Sequence, residues 1–300
     1  MTVCHLCGAP LAAAPCIIEV GRFEEPCRSV ACSECGLVQQ DPMPSEEELD
    51  AYYRETYRQV HLPMVMEVGD RTFQPPHLGG SVPAYEHAHA LRATQKVHEH
   101  QPLRPAILES LGARKGHRLL EIGAGPGRIA AEVMTAGVQV VAVEPDDECR
   151  ATALDLGVDC RASLEGVEGP FDGAYMVHSL EHMREPIAVL RAVRRMLKPR
   201  RRIYIEVPNL AMPYGTLAWF FQGPHLYNFA PNTLSAILHC AGFDRADKMV
   251  AGGALWAIGE SVGEDRDFAT HPPLVVGRGG DWWAGYLWAY HYLVASRAGG

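Results

Sequence analysis

The chain of 300 residues carries 27 basic and 36 acidic side chains, a formal charge of −9, with 47% hydrophobic and 21% charged residues. That length suits one full α/β domain plus a smaller appendage, the apolar content excludes wholesale disorder, and the acidic balance argues against a phosphate-backbone partner, which calls for a basic footprint. No run approaches the about 18–20 apolar residues of a membrane helix, and residues 1–14 lack a basic start followed by a long apolar stretch, so a cytoplasmic protein without a membrane span is expected.

Residues 1–44 are rich in Cys, Pro and Gly and show no helical period, which predicts a small zinc-ribbon-like domain stapled by metal instead of by a large core. Cys4-His5-Leu6-Cys7-Gly8 and Cys32-Ser33-Glu34-Cys35-Gly36 are two copies of one CxxCG knuckle. Two residues between cysteines let both sulfurs reach one ion at about 2.3 Å, and the following glycine permits the tight turn that aims backbone amides at the sulfurs. In a reducing compartment such clustering is better explained by metal than by disulfides. One Zn2+ per chain is therefore expected on Cys4, Cys7, Cys32 and Cys35. Four thiolates leave no open position for water, which makes that ion structural. Cys16, Cys27 and His5 are substitutes with worse spacing.

Residues 45–104 read as a helical connector and lid. Ser45 with Glu48 three residues on forms a capping box that opens a helix through Leu49, Tyr52 and Tyr53. A run of helix breakers at 74–83 predicts a loop, and a helical segment is expected near 85–100. From Arg118 onward strands alternate with helices: 119–122, 138–144, 158–160, 171–177 and 203–207, a rhythm that predicts a parallel sheet over a domain of residues 105–262. Pro186 begins a helix with Ile187, Leu190, Val193 and Leu197 on one face. Two further strand-like segments, 248–250 and 255–258, flank Gly252-Gly253 and predict a terminal hairpin. Residues 263–300 form a tail whose aromatic segment, 282–294, suits core packing or a contact between two copies in a homodimer, with a substrate-pocket wall or a membrane contact as the alternatives.

Leu119-Leu120-Glu121-Ile122-Gly123-Ala124-Gly125-Pro126-Gly127 is a buried strand running into a glycine-rich turn and then a helix. Glycines let the backbone approach a ligand without Cβ clashes, and the helix N-terminus offers free amides. The spacing departs from the dinucleotide GxGxxG, because Arg128 occupies the place of the third glycine. Glu144, at the end of the next apolar strand and 21 residues past Gly123, is placed to accept the two hydroxyls of an adenosine ribose.

With these residues the chain resembles the Rossmann-like (class I) methyltransferases that use S-adenosylmethionine (SAM). Glu121 to Gly127 matches that family's glycine signature, and Val143-Glu144-Pro145 matches its second motif. Phe171 to Tyr175, followed by Ser179-Leu180-Glu181-His182, looks like its fourth-strand segment. Leu197-Lys198-Pro199 looks like its entry to the fifth strand, with Arg201 where glycine is common. The resemblance implies an α/β fold with a seven-stranded, mostly parallel sheet and a reversed last strand, and SAM held by Glu121, Gly123, Ala124, Gly125, Gly127, Glu144 and Pro145. The two knuckles are similar to those that open some sugar and natural-product methyltransferases.

An already activated methyl leaves the enzyme to align the acceptor and, for a hydroxyl, to remove its proton. The base candidates are His225, His182, Glu181 and His178, with the two first-named histidines leading and Glu181 expected to orient a histidine or the substrate. The favoured reading is O-methylation of a small polar acceptor, a sugar or natural-product intermediate. C- or N-methylation of a nucleotide-linked sugar or small metabolite, methylation of ribosomal RNA with the zinc domain as reader, and a noncatalytic SAM-binding scaffold are the alternatives. The net charge argues against the RNA reading, and Arg22 and Arg28 are the only fixed cations in the first 36 residues.

Overall fold

The structure, a computed structural model, describes residues 2–53, 55, 66–68, 71–73, 103–213, 216–245, 250–251 and 254–266. The breaker run at 74–83, the helix expected at 85–100 and the aromatic segment at 282–294 lie outside the described residues. Two compact units organise the chain: residues 1–43 together with 168–300, and residues 44–167.

The first unit begins with three strands, β1 (Cys16–Val20), β2 (Pro26–Ala31) and β3 (Val38–Gln40), paired antiparallel in that order. So short a sheet cannot bury a core by itself. It shares one with a distant part of the same unit: Cys27, Ala31 and Val38 pack with Leu210, Leu217, Phe220, Phe221 and Ala230, all buried.

In the second unit the expected capping box is present. Ser45 Oγ accepts from the Glu48 amide at 3.2 Å, and the Glu48 carboxylate accepts from the Ser45 amide at 2.7 Å, which starts the helix Glu46–Tyr52. A hairpin of β4 (Met66–Val68) and β5 (Arg71–Phe73) and the helix Leu103–Leu111 follow. The strands β6 (Arg118–Ile122), β7 (Gln139–Val143) and β8 (Asp159–Arg161) then pair in parallel, linked by the helices Arg128–Met134 and Asp147–Asp155. Helical crossovers cover both faces of such strands, which is why β6 and β7 read as nearly unbroken apolar runs.

The first unit resumes with β9 (Gly173–Val177), buried along its whole length, and β10 (Arg202–Pro208), parallel to it. Between them lies the helix Pro186–Arg195, with Leu190 and Val193 buried as its periodicity predicts. The two-residue β11 (Tyr227–Asn228) follows, then the helix Pro231–Cys240, β12 (Phe243–Arg245), β13 (Val250–Ala251) and β14 (Ala254–Ser261). The large sheet has the order β12-β14-β10-β9-β6-β7-β8, with β13 paired to β14 as the expected hairpin. Because β14 runs antiparallel to β10, the last strand is the reversed one, in agreement with the fold class read from the sequence. The strand β12 had no signal of its own: three residues are too short to show alternation. Among the described residues no helix is long and apolar enough to cross a membrane.

Gly127 shows how closely the elements approach. It caps the helix Arg128–Met134 in the left-handed region (φ 79°), and a Cβ built there would lie 2.6 Å from the Ala153 Cβ and 2.8 Å from its Cα, in the helix Asp147–Asp155. Both the conformation and the contact demand glycine. Gly127→Ala is expected to destabilise the fold by about 1–3 kcal/mol, visible as a lower urea midpoint; an unchanged midpoint would show that the neighbouring helix yields.

Candidate active site

The glycine turn sits where β6 ends. Gly123, Gly125 and Gly127 all hold positive φ, and the amides of Gly123 and Ala124 donate to the Val143 carbonyl at 2.8 and 3.2 Å, tying the turn to the end of β7. Glu144 follows directly and is buried. Its carboxylate accepts from the Gly125 amide (2.8 Å) on one oxygen and from the Asp146 amide (2.9 Å) on the other. Arg150 donates to the carbonyls of Glu144 and Pro145 at 2.9 and 3.0 Å. Burial raises the Glu144 pKa, opposed by the two amides. The structure thus brings Glu144 onto the loop that the sequence could only relate to it by spacing. Glu121, at 1% exposure, stands inside β6 one residue from its end.

In the other unit the two knuckles fold as copies. The Gly8 amide donates to Cys4 O and the Gly36 amide to Cys32 O, both at 2.9 Å, with φ of 75° and 78° at the two glycines. The repeated turn brings the four sulfurs within 4.8 Å of one another, with Cys4–Cys35 at 3.5 Å and Cys7–Cys32 at 3.6 Å. A tetrahedron of bonds of about 2.3 Å has edges of about 3.8 Å, so this set fits a four-coordinate ion. Hydrogen bonding among the sulfurs holds the Cys35 thiol above and the Cys32 thiol below the ordinary range. Cys16 is exposed and directed to Ile18 O and Glu19, and neither it, Cys27 nor His5 joins the set.

All four base candidates converge after β9. His178 has φ 49°, a rare conformation for a side-chain-bearing residue, and its amide donates to Glu206 O at 2.8 Å. The imidazole lies between two buried carboxylates, Nδ1 3.6 Å from Glu181 and Nε2 3.5 Å from Glu206. Tyr204 donates to the other Glu206 oxygen at 2.7 Å. Glu181 is 1% exposed, and neither of its oxygens has a hydrogen-bond donor among the described residues; His182 Nε2 stands 3.9 Å away. The rings of His182 and His225 meet edge to face at 4.9 Å. Ligand atoms of Glu181, His182 and His225 lie within 4.8 Å of one another, a donor set able to take a cation. Sequence reasoning missed Glu206, although an acid inside the apolar run Ile203-Tyr204-Ile205-Glu206-Val207 is a visible signal of a buried charge with a task.

The methyltransferase-domain family model matches residues 94–246. A ubiquinone biosynthesis O-methyltransferase of Xanthomonas axonopodis pv. citri (strain 306) is 31% identical over 170 residues, which cover 48% of this chain and 71% of that protein. Its namesake from Xanthomonas oryzae pv. oryzae (strain PXO99A) is 30% identical over 121 residues, 36% of this chain and 51% of that one, so the chain spans about half to seven-tenths of these relatives. Among solved structures, Burkholderia thailandensis 1,6-didemethyltoxoflavin-N1-methyltransferase, with bound 1,6-didemethyltoxoflavin and S-adenosylhomocysteine, aligns with a TM-score of 0.43 at 23% identity over 66% of this chain and 98% of that one. With its glycine turn, acidic strand end and reversed last strand, the chain belongs to the class I SAM-dependent methyltransferases.

Burial opposes the charge on His178, but Glu181 and Glu206 outweigh it and push the pKa up to about 10. A folded pKa raised above the unfolded value of about 6.5 stabilises fully below pH 6.5, and that contribution is lost as pH rises through about 10. The stability lost in His178→Asn, measured by urea titration, is therefore expected to be greatest below about pH 6.5 and to shrink towards pH 10; a loss independent of pH would mean a neutral imidazole.

Proposed function

We propose that this enzyme transfers a methyl group from SAM to an oxygen of a small polar acceptor, a sugar or natural-product intermediate. The observation that carries this reading is the cluster after β9, where the buried Glu181 carboxylate, with no hydrogen-bond donor among the described residues, faces His182 and His225. SAM brings an activated methyl, so the work left to the chain is to hold an acceptor hydroxyl in line and to take its proton as the new C–O bond forms. His178, kept cationic by two carboxylates, is a poor base. That leaves His182 and His225, with Glu181 as the group that orients a ring and stabilises its protonated form. The O-methyltransferase names of the relatives support oxygen as the acceptor atom, and the net charge of −9 supports a small molecule over RNA.

On this reading Glu144 takes the ribose hydroxyls with the carboxylate that the Gly125 and Asp146 amides already orient. Charge-assisted hydrogen bonds of about 1.5–3 kcal/mol give the expected size: Glu144→Ala weakens SAM binding by about 10- to 150-fold in calorimetry. In contrast, His182→Ala or His225→Ala keeps SAM affinity and lowers turnover by about 10²- to 10⁴-fold, with labelled SAM and mass spectrometry of the methylated product as the assay. Near-normal turnover in both variants would leave positioning as the cluster's only role.

We further propose that the four knuckle cysteines hold one structural Zn2+. Elemental analysis is expected to find one zinc per chain, and Cys4→Ser or Cys32→Ser to lose both the metal and thermal stability. Full zinc content in both variants would refute the assignment.

A further inference from the structure

The knuckles and the histidine cluster share one hydrogen-bonded frame inside the first unit. β11, which immediately follows His225 and Leu226, adds a fourth strand to the knuckle sheet, with Tyr227 opposite Gln39 and Asn228 opposite Val38. Gln40 extends the junction: its amide donates to Leu226 O at 2.9 Å, and its side chain donates to Gly223 O at 2.7 Å and to His225 O at 3.1 Å. On the far side, the Leu226 amide donates to Glu181 O at 2.9 Å. The backbone of His225 is thus clamped between the knuckle sheet and the turn that carries Glu181.

Tyr227 completes the link through its side chain. It is fully buried, and burial raises its pKa, so the phenol is neutral and has a proton to give. That proton goes to the Arg184 carbonyl at 2.7 Å, two residues past His182. The hydroxyl oxygen is 2.5 Å from His5 Nδ1, which must then be the donor of that pair. His5 lies between Cys4 and Cys7, and its amide is held by the Gln39 side chain at 2.9 Å. One hydroxyl therefore ties the loop bearing two of the sulfurs to the turn bearing Glu181 and His182.

We propose that Tyr227 is a positioning residue through which the metal-bound knuckle orders the His225 segment and the Leu180–His182 turn for methyl transfer. The proposal rests on the reading of the cluster as the acceptor site. A knuckle that only stabilised its own fold would not need a hydroxyl spent on the carbonyl of Arg184. Placing a reacting group by fractions of an ångström is the kind of demand that such a link meets.

Hydrogen exchange read by mass spectrometry on the full chain tests the frame. In zinc-loaded Tyr227→Phe, which keeps the ring and loses the two hydroxyl bonds, the peptide 219–230 is expected to exchange about tenfold faster, the weight of about one buried hydrogen bond, while peptides across 118–144 and the zinc content stay as in wild type. Gln40→Ala should loosen the same peptide. Turnover of Tyr227→Phe should fall about tenfold with SAM affinity unchanged, and removing zinc with a chelator should lower the wild type's turnover more than the variant's. Unchanged exchange at 219–230 in both variants, or unchanged turnover in Tyr227→Phe, overturns the proposal. The exchange result stands apart from the base assignment, because it would persist even if His182→Ala and His225→Ala both turned over normally.

Discussion

Two ladder pairs, Tyr227 with Gln39 and Asn228 with Val38, join the first 43 residues to the segment that holds His225. A three-stranded knuckle sheet is too small to bury its own apolar face, and a two-residue strand is too short to exist alone; each supplies what the other lacks. The aromatic pair Phe220 and Phe221 fills the space beneath, packed on Cys27, Ala31 and Val38. The four knuckle cysteines and a histidine about two hundred residues further along the chain therefore belong to one compact unit. Arg22 extends the same junction, with its amide on Phe221 O at 2.8 Å, its Nε on Trp219 O at 2.8 Å and its guanidinium 4.3 Å from the Trp219 ring.

The electrostatics of the cluster follow from where β9 and β10 end. Two carboxylates out of water, Glu181 and Glu206, require compensation, because an isolated buried charge is among the costliest features a fold can carry. His178 supplies it from between them, at the cost of a left-handed backbone, and Tyr204 adds a neutral donor to Glu206. One histidine is committed to charge balance, which leaves the edge-to-face pair His182 and His225 for chemistry in the proposed reaction. The glycine turn solves a different problem with the same economy of means: Glu144 is held by amides of the loop itself, so the acid and the loop are preset together.

Much of this molecule was legible along the chain. The CxxCG repeats, the Ser45 capping box, the glycine turn and the alternation of apolar strands with helices are local patterns, and local sterics and hydrogen bonding impose them within a few residues. The seven-stranded, mostly parallel sheet and its reversed last strand followed from the resemblance those motifs carry, whereas the order of the strands came from the structure. The short strands β11 and β12 were not legible, because two or three residues hold no period and their partners lie far off in sequence. Nor was Glu206 placed beside His178: an acid in an apolar strand signals a buried charge but does not name its partner.

The amino-acid sequence by itself determined which residues are equipped for chemistry and which turns they occupy, since backbone freedom at glycine and side-chain donor type are properties of single residues and their near neighbours. The tertiary structure alone decided which of them meet. Glu181 is shared between His178 and His182, His178 is spent on two carboxylates, and Tyr227 spans from His5 to Arg184. Each of those meetings depends on the packing of strands that are remote along the chain, and the free energy that holds them comes from burying surface the local sequence cannot specify.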